Sequence, residues 1–186
     1  MRSSQPETNT GELEGLMQRY QQSEAEAAGM LVEKLSPQIF QLYLAQLRNR
    51  TLAEDLLQDF WLRIHNARHT YRPGEPLLPW IYAIAHRVRI DSYRRSRRIT
   101  AHEFQSDEVL ANVVAQQPER TNDLGLAELL RPLPESQREI ILLTKVSGLS
   151  LQEAARATGT SVGAVKQKAH RAYETLRKLF GAQHEL

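Results

Sequence analysis

Apolar residues recur at intervals of three and four along most of the chain, and no stretch keeps the two-residue alternation of a strand. This rhythm predicts helices over about Leu13–Ala28 and Leu31–Arg48. Asn49-Arg50 marks a break, and a third helix follows to about Ala67, with Thr51 and Glu54 at capping-box spacing. "TYRPGEPLLP" (Thr70–Pro79) carries three prolines and a glycine and interrupts the pattern as a loop. A fourth helix, "WIYAIAHRVRIDSYRRSRR", spans Trp80–Arg98. From about Ile99 to Gly125 the rhythm fades into polar and acidic residues, which reads as a linker.

The rhythm resumes at Leu126. Pro134 suits a helix first turn, and "ESQREIILLTKVS" carries that helix to a C-cap at Gly148. Ser150 and Glu153 form a capping box for a short helix, Leu151–Thr158, closed by Gly159. Thr160 and Ser161 then cap a last helix to about Phe180. The expected fold is all-α, with two small helical domains joined by a flexible linker. A disordered leader is expected at 1–12, a helical domain at 13–98, the linker at 99–125 and a helix-turn-helix domain at 126–186. The sequence leaves open whether the two domains pack together in the free protein.

Composition narrows the function classes. With 186 residues and 41% hydrophobic content, two modest cores are attainable. No cysteine is present, which excludes disulfides, thiolate metal sites and cysteine nucleophiles. No run of 18 apolar residues occurs, and "MRSSQPETNTGELEG" lacks the apolar segment of a signal peptide, so a cytoplasmic location is expected. Net charge is only +2, so attraction for a polyanion has to come from local clustering.

Such clustering occurs twice. In the fourth helix Arg87, Arg89, Arg94, Arg95, Arg97 and Arg98 face a lone acid, Asp91. They suit phosphate neutralisation, and Trp80, Tyr82 and Tyr93 suit stacking on unpaired bases. Trp80, Ile81, Ile84 and Val88 equally have the spacing of a core face, so Trp80 has two readings. In "LQEAARATGTSVGAVKQKAHRA" (Leu151–Ala172), Val162, Val165, Ala169, Ala172, Leu176 and Leu179 form an apolar stripe on the second helix. Its opposite face carries Gly163, Gln167, His170 and Arg171, flanked by Lys166 and Lys168. That set suits base edges and phosphates in a major groove, although a plain helical hairpin with a basic face has the same pattern. One helix-turn-helix reads few base pairs, so it needs a dimer partner or a second DNA-contacting module.

"TLAEDLLQDFWLRIH" (Thr51–His65) places Leu52, Leu56, Leu57, Phe60 and Ile64 toward a core, and Glu54, Asp55, Gln58 and Asp59 elsewhere. His65 and His69 have metal-pair spacing, but no third ligand accompanies them. Acids in a first turn commonly complement the helix dipole, a polar face of this kind also suits a protein contact, and no cofactor or catalytic group is expected.

The ordered set "AEDLLQDFWLRIH", Pro76–Ala85, "IDSYRR", a linker with "PER" (Pro118–Arg120), "LPESQREIILLTKVSGLSLQEAARATG" and "SVGAVKQKAHRA" resembles the extracytoplasmic-function (ECF) sigma factors, small alternative subunits of bacterial RNA polymerase. The resemblance implies that the first domain binds and melts the minus-ten promoter element, through Tyr71, Trp80, Tyr82, Arg87, Arg89, Tyr93, Arg94 and Arg95. It implies that Asp55, Gln58 and Asp59 dock on the β′ clamp helices of core polymerase. It further implies that Ser161, Gly163, Lys166, Gln167, His170 and Arg171 read the minus-thirty-five element, that the last domain touches the β flap, and that an anti-sigma factor is a partner. The chain departs from common family patterns at His86-Arg87, at Leu77-Leu78 and at Gln167-Lys168. Two rivals remain on the residues alone. One is a dimeric helix-turn-helix regulator acting without polymerase, and the other a nucleic-acid enzyme built on His65 and His69.

Overall fold

In the computed structural model, which describes residues 10–103 and 125–181, all regular structure among the described residues is helical. The first module comprises α1 (Thr10–Gln21), α2 (Ala25–Leu47), α3 (Arg50–Ala67), a 3-10 turn (Arg68–Thr70) and α4 (Leu77–Glu103). The second comprises α5 (Gly125–Leu129), α6 (Glu135–Ile141) with a π-helical extension (Leu142–Val146), α7 (Leu151–Thr158) and α8 (Val162–Gly181). The remaining expected leader (1–9) and linker (104–124, including Pro118–Arg120) lie outside the described residues.

Local chemistry shifts several expected boundaries. The helix expected to run on to Ala28 stops at Gln21, because Ser23 turns the chain with φ 70° and Glu24 takes an ion pair from Arg19 at 2.6 Å. Helix α2 therefore starts at Ala25. It runs through the exposed Pro37 and ends where Arg48 adopts φ 54°. Helix α3 is capped by Asn49, whose Oδ1 accepts from the Leu52 amide at 2.9 Å, rather than by Thr51. Glu54 pairs with Arg50 at 2.9 Å. Helix α4 begins at Leu77, with Pro79 in its first turn, where a missing amide proton costs no helical bond. It continues to Glu103, beyond the expected end at Arg98.

Helix α2 is the axis of the first module and packs against α1 and α3, while α3 packs on α4. Leu13, Met17, Leu31, Ile39, Phe60, Ile64, Leu77 and Ile81 are fully buried there, each contributing roughly 1.5–3 kcal/mol over exposure. Leu52 is half-exposed instead of buried. Ala53 takes the inward position, three and seven residues before the buried Leu56 and Phe60 and so on their face. In the second module α6 and α7 pack on α8 around Ile140, Leu142, Leu143, Ala154, Val165 and Ala172. Val162, Ala169 and Leu176 flank this core, but Leu179 and Phe180 project beyond it and are exposed.

The modules also pack on each other. Helix α4 lies against α7, and α2 meets α5 and α6, so the buried residues of both modules form one contiguous cluster.

Candidate nucleic-acid interface

The helix-turn-helix is built by local chemistry. Ser150 Oγ accepts from the Glu153 amide at 3.2 Å and Glu153 returns a carboxylate to the Ser150 amide at 2.8 Å, closing the capping box. Gly159 adopts φ 64° in the turn, a conformation glycine takes without strain. Ser161 Oγ then accepts from the Ala164 amide at 3.2 Å and starts α8. Burial of Val165 and Ala172 fixes the opposite face outward, so Ser161, Gly163, Lys166, Gln167, His170 and Arg171 are all exposed. His170 also approaches Glu174, at 3.6 Å. An open hollow of about 550 Å³ at the turn is lined by Gln152, Arg156, Gly159, Thr160 and Ser161. Arg156 was not singled out in the sequence. Its position on the rim depends on the turn that folds α7 beside α8.

Helix α4 divides differently from its sequence. Arg87, Tyr93, Arg94, Arg95 and Arg97 are exposed, and Arg97 lies over the Tyr93 ring at 6.0 Å. Trp80 is half-buried. Its indole N–H reaches Thr70 Oγ1 at 3.4 Å and its ring lies 5.7 Å from that of Tyr71. Tyr71 itself is buried and donates its hydroxyl to the Glu75 carbonyl at 2.6 Å, holding the Pro-Gly loop. Tyr82 is fully buried. Neither tyrosine presents a ring to a base in this arrangement, because each fills the core with its ring. Burial pushes both phenol pKa values up. Between α3 and α4, Asp59, Arg63, Asn66, Asp91 and Arg95 line a polar hollow of about 180 Å³, crossed by an Arg63–Asp91 pair at 3.3 Å.

The outer face of α3 carries Asp55, Gln58 and Asp59, all exposed as the sequence suggests, and Leu52 and Leu62, 50% and 62% exposed. Leu52, Asp55, Asp59 and Leu62 recur at three- and four-residue spacing, so they form one stripe. His65 accepts or donates a 2.8 Å hydrogen bond with the Tyr20 hydroxyl. Among the described residues no group of three His, Asp or Glu side chains is arranged to hold a metal.

Arg89 lies at the seam between the modules rather than on the exposed cationic face. It is 5% exposed, pairs with Glu135, and donates to both oxygens of Glu139 at 3.2 Å. His86 Nδ1 meets the same Glu139 carboxylate at 2.7 Å. Burial pushes the Glu139 carboxyl pKa up. The His86 hydrogen bond, the charges of Arg89 and His86 and the Arg89 hydrogen bonds together outweigh that push, so the net direction is below the ordinary value. From the other side, Arg138 is 8% exposed and donates to the Gln46 carbonyl at 2.9 Å and the Ala45 carbonyl at 3.4 Å. It also reaches Leu133 and Leu130 carbonyls within its own module, at 3.0 and 3.3 Å. Burial, and next the charge of Arg48, lower its pKa.

Residues 31–99 match the family Sigma-70 region 2, and residues 124–176 match Sigma-70, region 4. The chain is 32% identical to the RNA polymerase sigma factor CarQ of Myxococcus xanthus over 166 residues, covering 89% of this chain and 95% of that protein. It is 27% identical to the ECF RNA polymerase sigma factor SigX of Bacillus subtilis over 159 residues, 80% of this chain and 81% of that one. Its fold is similar to that of CnrH, solved in complex with the cytosolic domain of CnrY. The TM-score is 0.67 at 25% identity, over 92% of this chain and 98% of that one. RpoE of Bartonella quintana, solved with the anti-sigma factor NepR, gives a TM-score of 0.64 at 25% identity over 85% and 98%. Two regions of the Sigma-70 kind on one helical chain define a sigma factor. More narrowly, the chain belongs to the ECF RNA polymerase sigma factors, the alternative specificity subunits of RNA polymerase.

Proposed function

We propose that this chain directs core RNA polymerase to a specific set of promoters, with its second module on the minus-thirty-five element and its first on the minus-ten element. The observation that carries this reading is the pairing, on one chain, of a capped helix-turn-helix with an exposed polar recognition face and a separate helix whose outer half is cationic. Helix α8 enters the major groove, where Lys166 and Arg171 engage phosphates and Gln167 reaches base edges. Arg87, Arg94 and Arg95 engage the minus-ten strands, and Trp80 beside the Pro-Gly loop receives a base released from the stack. Strand separation is driven by binding energy, since unpaired bases and single-strand phosphates are held better than duplex. Arg89, Tyr71 and Tyr82 support this face from within in the described arrangement. The Leu52–Leu62 stripe, with Asp55, Gln58 and Asp59, docks on the β′ clamp helices, and the second module touches the β flap. An anti-sigma factor is the expected protein antagonist, by analogy with the partners of CnrH and RpoE.

The test is transcription in vitro with purified core polymerase on fragmented genomic DNA, with start sites mapped. New start sites, preceded by shared minus-ten and minus-thirty-five sequences, are expected only when the chain is added. Failure to associate with sigma-free polymerase overturns the proposal. Dimeric binding to palindromic duplex without polymerase would favour the regulator reading instead.

A further inference from the structure

The Pro-Gly loop beside Trp80 is anchored from α1. That helix ends at Gln21, which is half-buried against the 3-10 turn after α3. Gln21 Nε2 donates to the Arg68 carbonyl at 2.7 Å and to the Tyr71 carbonyl at 2.8 Å, 47 and 50 residues away in sequence. The amide nitrogen has two hydrogens, so both are used, and they tie the two ends of the turn to α1. Within the turn the Tyr71 amide donates to the same Arg68 carbonyl at 3.2 Å, a longer bond than either from Gln21. Tyr20, one residue earlier, adds its hydrogen bond with His65, and Arg68 lies over its ring at 5.6 Å.

Thr70 sits inside the segment so fixed. Its hydroxyl donates to the Ala67 carbonyl at 2.7 Å, which leaves its lone pairs free to accept, and the Trp80 indole N–H reaches it at 3.4 Å. A bond that long orients a ring more than it holds it. The Trp80 ring also lies 5.7 Å from that of Tyr71, whose carbonyl is one of the two that Gln21 holds. Both contacts that set the angle of the indole therefore lead back to one side chain on α1. A face that receives a base is best in place before the base arrives, since ordering it afterwards subtracts from the binding energy that separates the strands.

We propose that Gln21 and Thr70 are positioning residues for the base-receiving face of Trp80: Gln21 fixes the turn, and the Thr70 hydroxyl passes that position to the indole. The proposal rests on the reading that Trp80 receives a base released from the minus-ten stack. It brings α1 into strand separation.

Gln21→Met removes both donors at similar size, and Thr70→Val removes the hydroxyl at similar size. Thr70 is exposed, so its variant carries the test should Gln21→Met fail to fold. The chain has two tryptophans, and the Trp61 indole donates to Ser36 Oγ at 2.9 Å between α3 and α2, so its N–H resonance serves as a reference. In the free chain both variants are expected to shift the Trp80 indole N–H resonance and to leave that of Trp61 in place. With core polymerase, on a promoter mapped for the parent, both should reduce permanganate reactivity of the minus-ten thymines about three- to tenfold, part of what a base–aromatic stack supplies. Polymerase affinity and minus-thirty-five protection should be unchanged, and Thr70→Ser should restore opening. On templates with one abasic site, placed at each minus-ten position in turn, the variants should equal the parent at one position, because no base is then there to receive.

An unmoved Trp80 resonance in both variants overturns the proposal. So does a shifted resonance with undiminished opening, or a variant deficit that persists at every abasic position. If the parent itself opens no promoter, the proposed function falls and the positioning role with it, while the two indole resonances still report whether Gln21 and Thr70 set the ring.

Discussion

Glu139 binds Arg89 and His86 together, and its carboxyl is held below the ordinary glutamate value of 4.5 despite burial. A carboxyl depressed on folding contributes stability that is full above its unfolded value and is lost as pH falls through the folded one. Glu139→Gln is therefore expected to cost about 3 kcal/mol near neutral pH, as removal of one partner from a buried pair does. The difference should shrink as pH falls below 4.5, and chemical denaturation of both chains across pH 3–7 measures it. A deficit independent of pH would show that the carboxylate charge is not its source. This residue also marks where a linear reading stops. The sequence assigns Arg89 to DNA because it stands in an arginine run, and nothing nearby reveals an acid fifty residues on that folds against it. Tyr71 and Tyr82 escape for a related reason: an aromatic beside cations fits a stacking platform and a core equally well until packing decides.

Among the elements, those fixed by adjacent side chains were legible. Ser150, Glu153 and Gly159 announce α7 and its turn, and the structure forms each of those contacts. Ser150→Ala is expected to remove about 1 kcal/mol and to speed hydrogen exchange at the Glu153 amide, read by denaturation and exchange NMR. Boundaries with competing caps were not legible. Thr51 and Asn49 both suit a cap, and Asn49 prevails. Ser23 turns the chain without the glycine or proline that would advertise it. The exposed cations of α8 and α4 should separate by assay. Exchanging Lys166 and Arg171 for glutamine is expected to weaken duplex binding and reduce the slope of log affinity against log salt by about 2, as loss of two phosphate contacts implies. Charge reversal at Arg94 and Arg95 should instead reduce permanganate reactivity of minus-ten thymines in the polymerase complex while leaving minus-thirty-five protection in place.

At the scale of the whole molecule, the α3 stripe tests whether an exposed face is kept for a partner. Leu62→Ser together with Leu52→Ser should change folding stability by no more than about 0.5 kcal/mol per site, since both side chains already meet solvent. The same change should weaken polymerase binding by about tenfold or more, read by titration against sigma-free core. The contiguous apolar cluster shared by the two modules carries a thermal consequence. Because neither half melts without exposing surface that belongs to the other, scanning calorimetry of the isolated chain should trace one sharp heat-absorption peak. Any agent that prises the halves apart should resolve that peak into two, with the smaller helix-turn-helix unit melting first.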